Sequence, residues 1–458
     1  MSFLRRTLAA CALSVAAALP AAAETLTDAL ISAYRSSNLL EQNRALLRAT
    51  DEDVASAVAR LRPVLNYGAS LASRYGENTG WSDLTTSIDL TASITIYDFG
   101  RSRIGIDLAK ETVLATREGL VGLEQDVLLA AVRAYMGVIS ASQTVSLTDN
   151  NARLIGQELQ AARDRLELGD GTVTSVALAE ARLALARANF AAAQGSLVSA
   201  RGAFKLVTGR YPGALRSPPA APQTAASLDA ARRIALRTHP DLLGARRQVT
   251  IAELSIALAE AALRPTITGS IGTGFTDLSA TGNQHTGQIG LSMSGPIYSG
   301  GALSSAIRKA IARRDAARSS LLQTVATTEQ NVAIAWAQVQ TAAARLRAGG
   351  EQVRAARVAH NGVREQAELG DVTTLAVLDS EQELLDAESA RLTAYSDYYI
   401  ATYALLESMG LLTVEHLKLG IPTYDPSGYY NAVKDAPGRK VSPQGQKLDR
   451  ILKGIGRN

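Results

Sequence analysis

The chain is written twice, and this duplication constrains its fold more than any other feature. Sliding the sequence against itself by about 200 positions brings Leu61-Arg62-Pro63 onto Leu263-Arg264-Pro265, and Glu167-Leu168-Gly169-Asp170 onto Glu368-Leu369-Gly370-Asp371. The register holds elsewhere too: Leu26 falls on Leu228, Ala33 on Ala235, Tyr97 on Tyr298, Val176 on Val377 and Leu183 on Leu384. A unit this long, containing several kinds of element, implies two copies of one structural module rather than a solenoid of small repeats. Prolines add a second constraint. None occurs between Pro63 and Pro212 or between Pro296 and Pro422. An interior proline removes a helix hydrogen bond and clashes with the preceding turn, so these gaps leave room for very long helices.

The N-terminus carries Arg5 and Arg6, an apolar run from Leu8 to Leu19, and Ala21-Ala22-Ala23 before Glu24. That is the layout of a secretory signal peptide cleaved after Ala23, with an apolar run too short to span a bilayer. Leu8-Ala9-Ala10-Cys11 also resembles a lipoprotein box, but it leaves almost no apolar segment ahead of Cys11. Ordinary cleavage removes the only cysteine, so the mature chain has no disulfide, thiol nucleophile or thiolate metal site. Nothing later is apolar enough to read as a transmembrane helix.

Each half contains segments of period two. Ile88, Leu90, Ala92, Ile94 and Ile96 alternate with Asp89, Thr91, Ser93 and Thr95, which in a strand places one set on each face. The partner segment runs from Leu65 to Tyr75, joined by the polar turn Gly76 to Gly80. In the second half Ile267, Ile271 and Phe275 lie on one strand, and Ile289, Leu291 and Met293 on the next, with a loop around Ala280 to His285. Tyr75, Trp81, Tyr97 and Tyr298 fall near strand ends, as interfacial aromatics do in membrane barrels. Alternation alone is equally compatible with two hairpins of a soluble sheet.

The helical segments carry coiled-coil seams. Val176, Ala179, Leu183, Ala186, Phe190, Ala193, Leu197, Ala200, Phe204 and Val207 follow a three-four spacing. Ala177, Ala181, Ala184, Ala188, Ala191 and Gly195 form a second stripe beside it, so this helix is expected to have neighbours on two sides. Val377, Leu384, Ala387, Ala394, Tyr398, Ala401 and Leu405 repeat the seam, broken at Arg391. Upstream, Arg101 to Leu168 reads as one helix on the order of 100 Å long. Gly169 and Gly171 stop it, and Thr172 or Thr174 caps the returning helix. Four strands cannot close into a barrel, and an open edge is not tolerated in lipid, so a membrane location requires an oligomer. A dimer gives a filled barrel of about eight strands, and a trimer about twelve strands with a possible passage.

The signature Arg165-Leu166-Glu167-Leu168-Gly169-Asp170-Gly171-Thr172, followed by Ala179-Glu180-Ala181-Arg182-Leu183, resembles the TolC outer-membrane efflux and secretion family. So does Glu368-Leu369-Gly370-Asp371-Val372-Thr373-Thr374-Leu375, followed by Asp379-Ser380-Glu381-Gln382-Glu383-Leu384-Leu385. The likeness covers nearly the whole mature chain and includes Tyr97-Asp98-Phe99-Gly100-Arg101 and both Arg-Pro strand entries. Tyr424-Asp425-Pro426 with Tyr429-Tyr430 resembles the type I secretion branch. The resemblance implies a mainly α fold with a small β part: a homotrimer whose outer-membrane barrel of about twelve strands continues into a periplasmic helical tunnel. It also implies a periplasmic adaptor and an inner-membrane ABC or proton-driven transporter as partners, docking at Gly169, Asp170, Gly171, Thr172, Leu369, Gly370, Asp371 and Thr373. Helix termination alone also explains the tip glycines.

In the family, two aspartates three residues apart ring the closed entrance. Asp379 matches the inner one, whereas Ala376 occupies the other position, Val372 the tip arginine, Ala367 the tyrosine before it and Ser175 the first-half aspartate. Three symmetry-related Asp379 carboxylates would repel one another and attract cations; alternatively, Asp379 simply favours a helix N-terminus.

Enzyme and nucleic-acid functions find no support. His239, His285, His360 and His416 are isolated in sequence, no nucleotide loop or nucleophile elbow is present, and no cofactor is implied. The net charge of +4 is interleaved along helices, apart from a basic tail between Lys434 and Arg457 that either wraps the helices or stays disordered. The expected organisation is a signal peptide (1–23), a first repeat (24–208), a linker (209–226), a second repeat (227–412) and a partly disordered periplasmic tail (413–458). Within the repeats, strands are expected at about 64–75, 84–97, 266–275 and 286–296, and long helices at about 101–168, 174–208, 302–369 and 374–410. The competing reading is a soluble periplasmic coiled-coil scaffold or adaptor.

Overall fold

The computed structural model describes residues 24–73, 75–76, 80–81, 84–169, 171–278, 282–369, 371–436 and 450. The expected signal peptide, turn residues 77–79, tip residues Asp170 and Gly370, and the basic tail beyond residue 436 apart from Arg450 lie outside them. Nine α-helices are described: α1 (Leu26–Ser36), α2 (Asn38–Ala59), α3 (Arg101–Glu167), α4 (Val173–Thr208), α5 (Leu228–Thr238), α6 (Pro240–Ala261), α7 (Ala302–Glu368), α8 (Thr374–Ser408) and α9 (Pro426–Val433). Six strands accompany them: β1 (Val64–Ala72), β2 (Tyr75–Gly76), β3 (Gly80–Trp81), β4 (Thr85–Tyr97), β5 (Thr266–Leu278) and β6 (Gly282–Ser294). The chain divides into two compact units, one of residues 1–41, 121–239 and 327–423, the other of 42–120, 240–326 and 424–458.

The first unit is helical. Thr25 and Asp28 form a reciprocal capping box that starts α1, and Leu26, Ala29, Leu30 and Ala33 bury one face of it. Leu128, Leu129, Val132, Tyr135 and Met136 of α3, Phe204 of α4, and Leu405 and Leu406 of α8 are also buried. The Tyr135 hydroxyl lies 2.6 Å from the Arg216 carbonyl and 3.1 Å from that of Glu24. Burial beside Glu24 pushes this phenol up to about 12, so it stays a hydrogen-bond donor. The seam of α4 is buried at Ala179, Leu183, Ala186, Ala193 and Phe204, whereas its second stripe, Ala177, Ala181, Ala184, Ala188, Ala191 and Gly195, is exposed. The seam break at Arg391 faces a glycine: a Cβ on Gly349 of α7 would lie 3.4 Å from the Arg391 Cα.

The second unit contains the sheet. Its four long strands are all antiparallel in the order β1-β4-β5-β6, while β2 and β3 form a separate short hairpin. The expected loop up to His285 is shorter than anticipated, because β6 begins at Gly282 and pairs Asn283, Gln284 and His285 with Asp277, Thr276 and Phe275. Those polar residues carry no apolar alternation, so the pattern could not reveal them as strand. Conversely β1 stops at Ala72.

Leu47 and Val54 of α2 and Val113 of α3 form a small core with Tyr424 and Tyr430 packed on it. Helix α9 is capped by Asp425, whose carboxylate accepts from the Ser427 amide at 2.8 Å. Tyr429 donates to Glu52 (2.6 Å), and Arg117 donates to the Pro426 carbonyl (3.2 Å). Arg62 donates to the carbonyls of Asp435 and Ala436. The tail through Ala436 is therefore docked on α2 and α3.

The expectation that no later helix is apolar enough to cross a membrane needs correction. Helix α3 holds an 18-residue window of mean hydropathy 1.2. With 56% of that window buried, this is the apolar interior of a helical layer.

Candidate functional site in the strand faces and helix tips

Strand register settles which side chains share a face. Directly paired residues point the same way. One row therefore contains Leu65, Ala92, Ile271 and Ile289, and the next row on that face Tyr67, Leu90, Thr273 and Gly287. The row between them reads Asn66, Thr91, Gly272 and Gln288, and the following row on the same side Gly68, Asp89, Gly274 and Thr286. Through these rows one face is thus largely apolar, and the other carries hydroxyls, amides, glycines and the single carboxylate of Asp89. The apolar face is open: Tyr67 is 87% exposed, Ile289 85%, Met293 72% and Leu291 71%. Both outer strands of the sheet, β1 and β6, have one unpaired edge among the described residues. The Tyr75 and Trp81 rings meet in a tilted contact, centroids 5.5 Å apart, at the end of the first hairpin. At the base of β4, the Asp98 carboxylate accepts from the amides of Gly100 (3.1 Å) and Ser102 (2.8 Å), closing the strand-to-helix turn in which Phe99 has φ 52°.

The two helix-turn-helix tips lie in the helical unit. At the first, Gly169 takes φ 81°, which releases the chain from α3. Gly171 has a different reason: a Cβ there would sit 2.8 Å from the Leu166 amide nitrogen. Thr172 caps α4 by accepting from the Ser175 amide (3.1 Å). At the second tip, the Asp371 amide reaches the Gln366 carbonyl (2.9 Å), and Thr373 caps α8 by accepting from the Ala376 amide (3.4 Å). Leu168 (84%), Leu369 (79%) and Val173 (72%) are exposed apolar side chains at these turns.

The anticipated entrance residues are only partly brought together. Ser175 and Ala376 occupy equivalent positions in the capped first turns of α4 and α8, and Val372 is half-buried. Among the described residues, no hydrogen bond or ion pair joins any of the three to Asp379. Asp379 instead pairs with Arg182 of α4 at 2.8 Å. Beside this bond Leu378 of α8 is 2% exposed and packs with Ile155 and Leu159 of α3 and Ala179, Leu183 and Ala186 of α4. Arg165 donates to the Ala367 carbonyl (3.2 Å). A basic partner therefore stands beside the carboxylate expected to form a bare acidic ring. Arg182 belongs to the signature already quoted, but its partner lies in the other repeat, which no local spacing reveals.

The second feature is a largely buried histidine–glutamate contact within the second hairpin. His360 of α7 lies 3.0 Å from Glu381 of α8 and 3.1 Å from the Ser380 hydroxyl, with the His360 and Glu381 side chains each 12% exposed. Burial pushes the Glu381 carboxyl up; His360 and Arg364 oppose the rise, and Glu158 and Glu388 reinforce it. In the first repeat, the positions of His360 and Ser380 are filled by Leu159 and Ala179, both buried. The comparison of repeats is the signal that could have found this pair. Among the described residues no group of three or more His, Cys, Asp or Glu is placed to hold a metal ion.

The family model described as outer membrane efflux protein matches residues 30–210 and 231–411, once in each repeat. The outer membrane efflux protein BepC of Brucella suis is 33% identical over 418 residues, covering 91% of each chain. The alkaline protease secretion protein AprF of Pseudomonas aeruginosa is 27% identical over 356 residues, covering 75% of this chain and 73% of its own. In fold, the chain is similar to the CmeC outer membrane channel of Campylobacter jejuni, with a TM-score of 0.75, 15% identity and coverage of 91% of this chain and 90% of that one. This chain belongs to the outer membrane efflux protein family and is a channel protein of the Gram-negative outer membrane.

Proposed function

We propose that three copies of this chain form the passive exit duct of a tripartite export system. The observation that carries this reading is the four-stranded sheet with an exposed apolar face and two free edges. In lipid each unpaired backbone group costs several kcal/mol, so edges must be closed by further strands. Three copies of a four-stranded sheet supply twelve strands, and a barrel of that size leaves a lumen where one of eight is filled by its own side chains. The exposed alanine and glycine stripe of α4 fits the same assembly, since small side chains let a neighbouring helix approach closely. The polar sheet face then lines the passage and the apolar face meets lipid.

Opening is driven by partners, because the duct itself needs no cofactor and performs no chemistry. A periplasmic adaptor and an inner-membrane transporter, of the ABC or proton-driven kind, engage Gly169, Asp170, Gly171 and Thr172 at one tip and Leu369, Gly370, Asp371 and Thr373 at the other. Exposed Leu168, Val173 and Leu369 support this, since they leave apolar surface at both turns for a partner to cover. Asp379, Ala376, Ser175 and Val372 flank the entrance, with the Arg182–Asp379 bond as its polar link. The cargo classes that fit are small toxic compounds and secreted proteins, for which the efflux and protease-secretion relatives provide the respective parallels.

The decisive test is the detergent-corrected light-scattering mass of protein extracted from outer membranes. Three protomers per particle, with channel conductance in planar bilayers, is the expected result. A buffer-soluble monomer or dimer would remove the barrel and restore the scaffold reading.

A further inference from the structure

We infer that Asp89 sets the ion preference of the barrel lumen. This rests on the trimeric duct proposed above and adds a residue to it. Asp89 belongs to the polar face of β4, and it is the only ionisable side chain on that face of the four long strands among the described residues. Its partners in the row are both glycines, Gly68 on β1 and Gly274 on β5. The carboxylate leans over Gly68 so closely that a Cβ there would lie 2.6 Å from its Oδ2 and 2.8 Å from its Oδ1. Asp89 is exposed and forms no ion pair among the described residues. The contrast with Asp379 is direct, since that carboxylate is paired with Arg182 at 2.8 Å.

A lone carboxylate on a neutral wall matters only if permeant ions pass within its field. Strands spaced ~4.8 Å apart and tilted ~40° give a barrel of about twelve strands a backbone radius of roughly 12 Å, and side chains narrow this to ~8 Å. Three Asp89 charges at that distance in water, screened over ~30 Å at 0.01 M salt, correspond to roughly a sevenfold enrichment of monovalent cations and a sevenfold depletion of anions at the axis. At 1 M salt the screening length falls to ~3 Å and the preference disappears. Anionic cargo would meet the same field with the opposite sign.

The test uses the full-length trimer in planar bilayers. Reversal potentials under a potassium chloride gradient are compared at low and high salt for wild type and Asp89→Asn. A trivalent cation, cobalt hexammine, is also added to the side facing the hairpin loops. The expected result is retained conductance with a several-fold loss of low-salt cation preference, and weaker block from that side. Retained conductance with unchanged selectivity and block in Asp89→Asn overturns the role of Asp89 while leaving the duct intact. If Asp89→Asn does not assemble, the wild-type protein decides: absence of salt-dependent block from the hairpin side overturns the inference. Absence of conductance in wild type would remove the duct reading itself.

Discussion

Asp51 is a carboxylate with nowhere to put its charge. It lies in α2 at 0% exposure, and neither carboxyl oxygen has a hydrogen-bond partner among the described residues. Burial pushes its pKa up to about 6, with Arg117 pulling down and Glu52 pushing up. A folded-state value above the solvated 3.8 means that the native state binds the proton more tightly. Its contribution to stability is therefore complete below 3.8 and is lost as pH rises through about 6. The interval between those values, at roughly 1.36 kcal/mol per pH unit, corresponds to about 3 kcal/mol above pH 6. Asp51→Asn keeps the shape and approximates the protonated acid, so it should recover most of that at neutral pH. Tyr424 and Tyr430 pack on the same small core, which makes docking of the tail segment the natural readout. In hydrogen-exchange mass spectrometry at about pH 7.5, peptides spanning α2 and α9 should exchange up to ~100-fold more slowly in Asp51→Asn than in wild type. Near pH 4 the difference should shrink to a few-fold. Equal exchange at neutral pH, or a difference indifferent to acidification, would refute a buried ionised Asp51.

Further perturbations follow from two residue pairs near the tips. Arg182→Ala leaves Asp379 bare, so single-channel recordings should show greater cation preference, whereas Asp379→Ala should reduce it; unchanged selectivity in both would mean that permeant ions pass beyond reach of this pair. At 56% exposure of Asp379 the bond contributes at most ~1 kcal/mol per protomer, so any gain in open probability comes from three small terms acting together. His360→Leu alone should destabilise the α7–α8 hairpin near the tip, because the largely buried Glu381 carboxyl loses its His360 partner, at a cost of about 1–3 kcal/mol. His360→Leu with Ser380→Ala and Glu381→Gln should instead equal or exceed wild-type resistance to limited proteolysis; a triple variant cleaved as fast as the single one would contradict this.

The sheet and long helices were legible because their signals are local. Alternation from Ile88 to Ile96 locates β4 and its faces, and the absence of proline with a three-four seam locates α4 and α8. The register between β4 and β5, which joins the two repeats, has no local signal, yet it places Asp89 between Gly68 and Gly274. The same holds at the tips. Turn glycines and capping threonines are visible in sequence, whereas Arg182 meets Asp379 across nearly two hundred residues. Asp51 was invisible for another reason: a single acid on an amphipathic helix reads as solvated unless its neighbours are known to close over it. The tail from Tyr424 carried no strong helical period, and it is ordered by contacts with α2 and α3 that composition does not encode.

The duplication also shows where the two halves have ceased to be equivalent. Near the first tip, Leu159 and Ala179 pack as an apolar layer, and Leu378 from the other repeat completes it. The corresponding layer of the second hairpin holds His360 and Ser380, joined by a hydrogen bond and flanked by Glu381. An apolar layer is stabilised by burial alone, whereas a polar layer depends on every partner staying in place, and it gives up stability for that dependence. Two copies of one module thus present a firm hairpin and a conditional one at the end proposed to receive the adaptor. If opening loosens a hairpin from within, the physical chemistry selects the second, since parting α7 from α8 at this layer exposes groups that water can satisfy. Separating Leu159, Ala179 and Leu378 would expose only hydrocarbon.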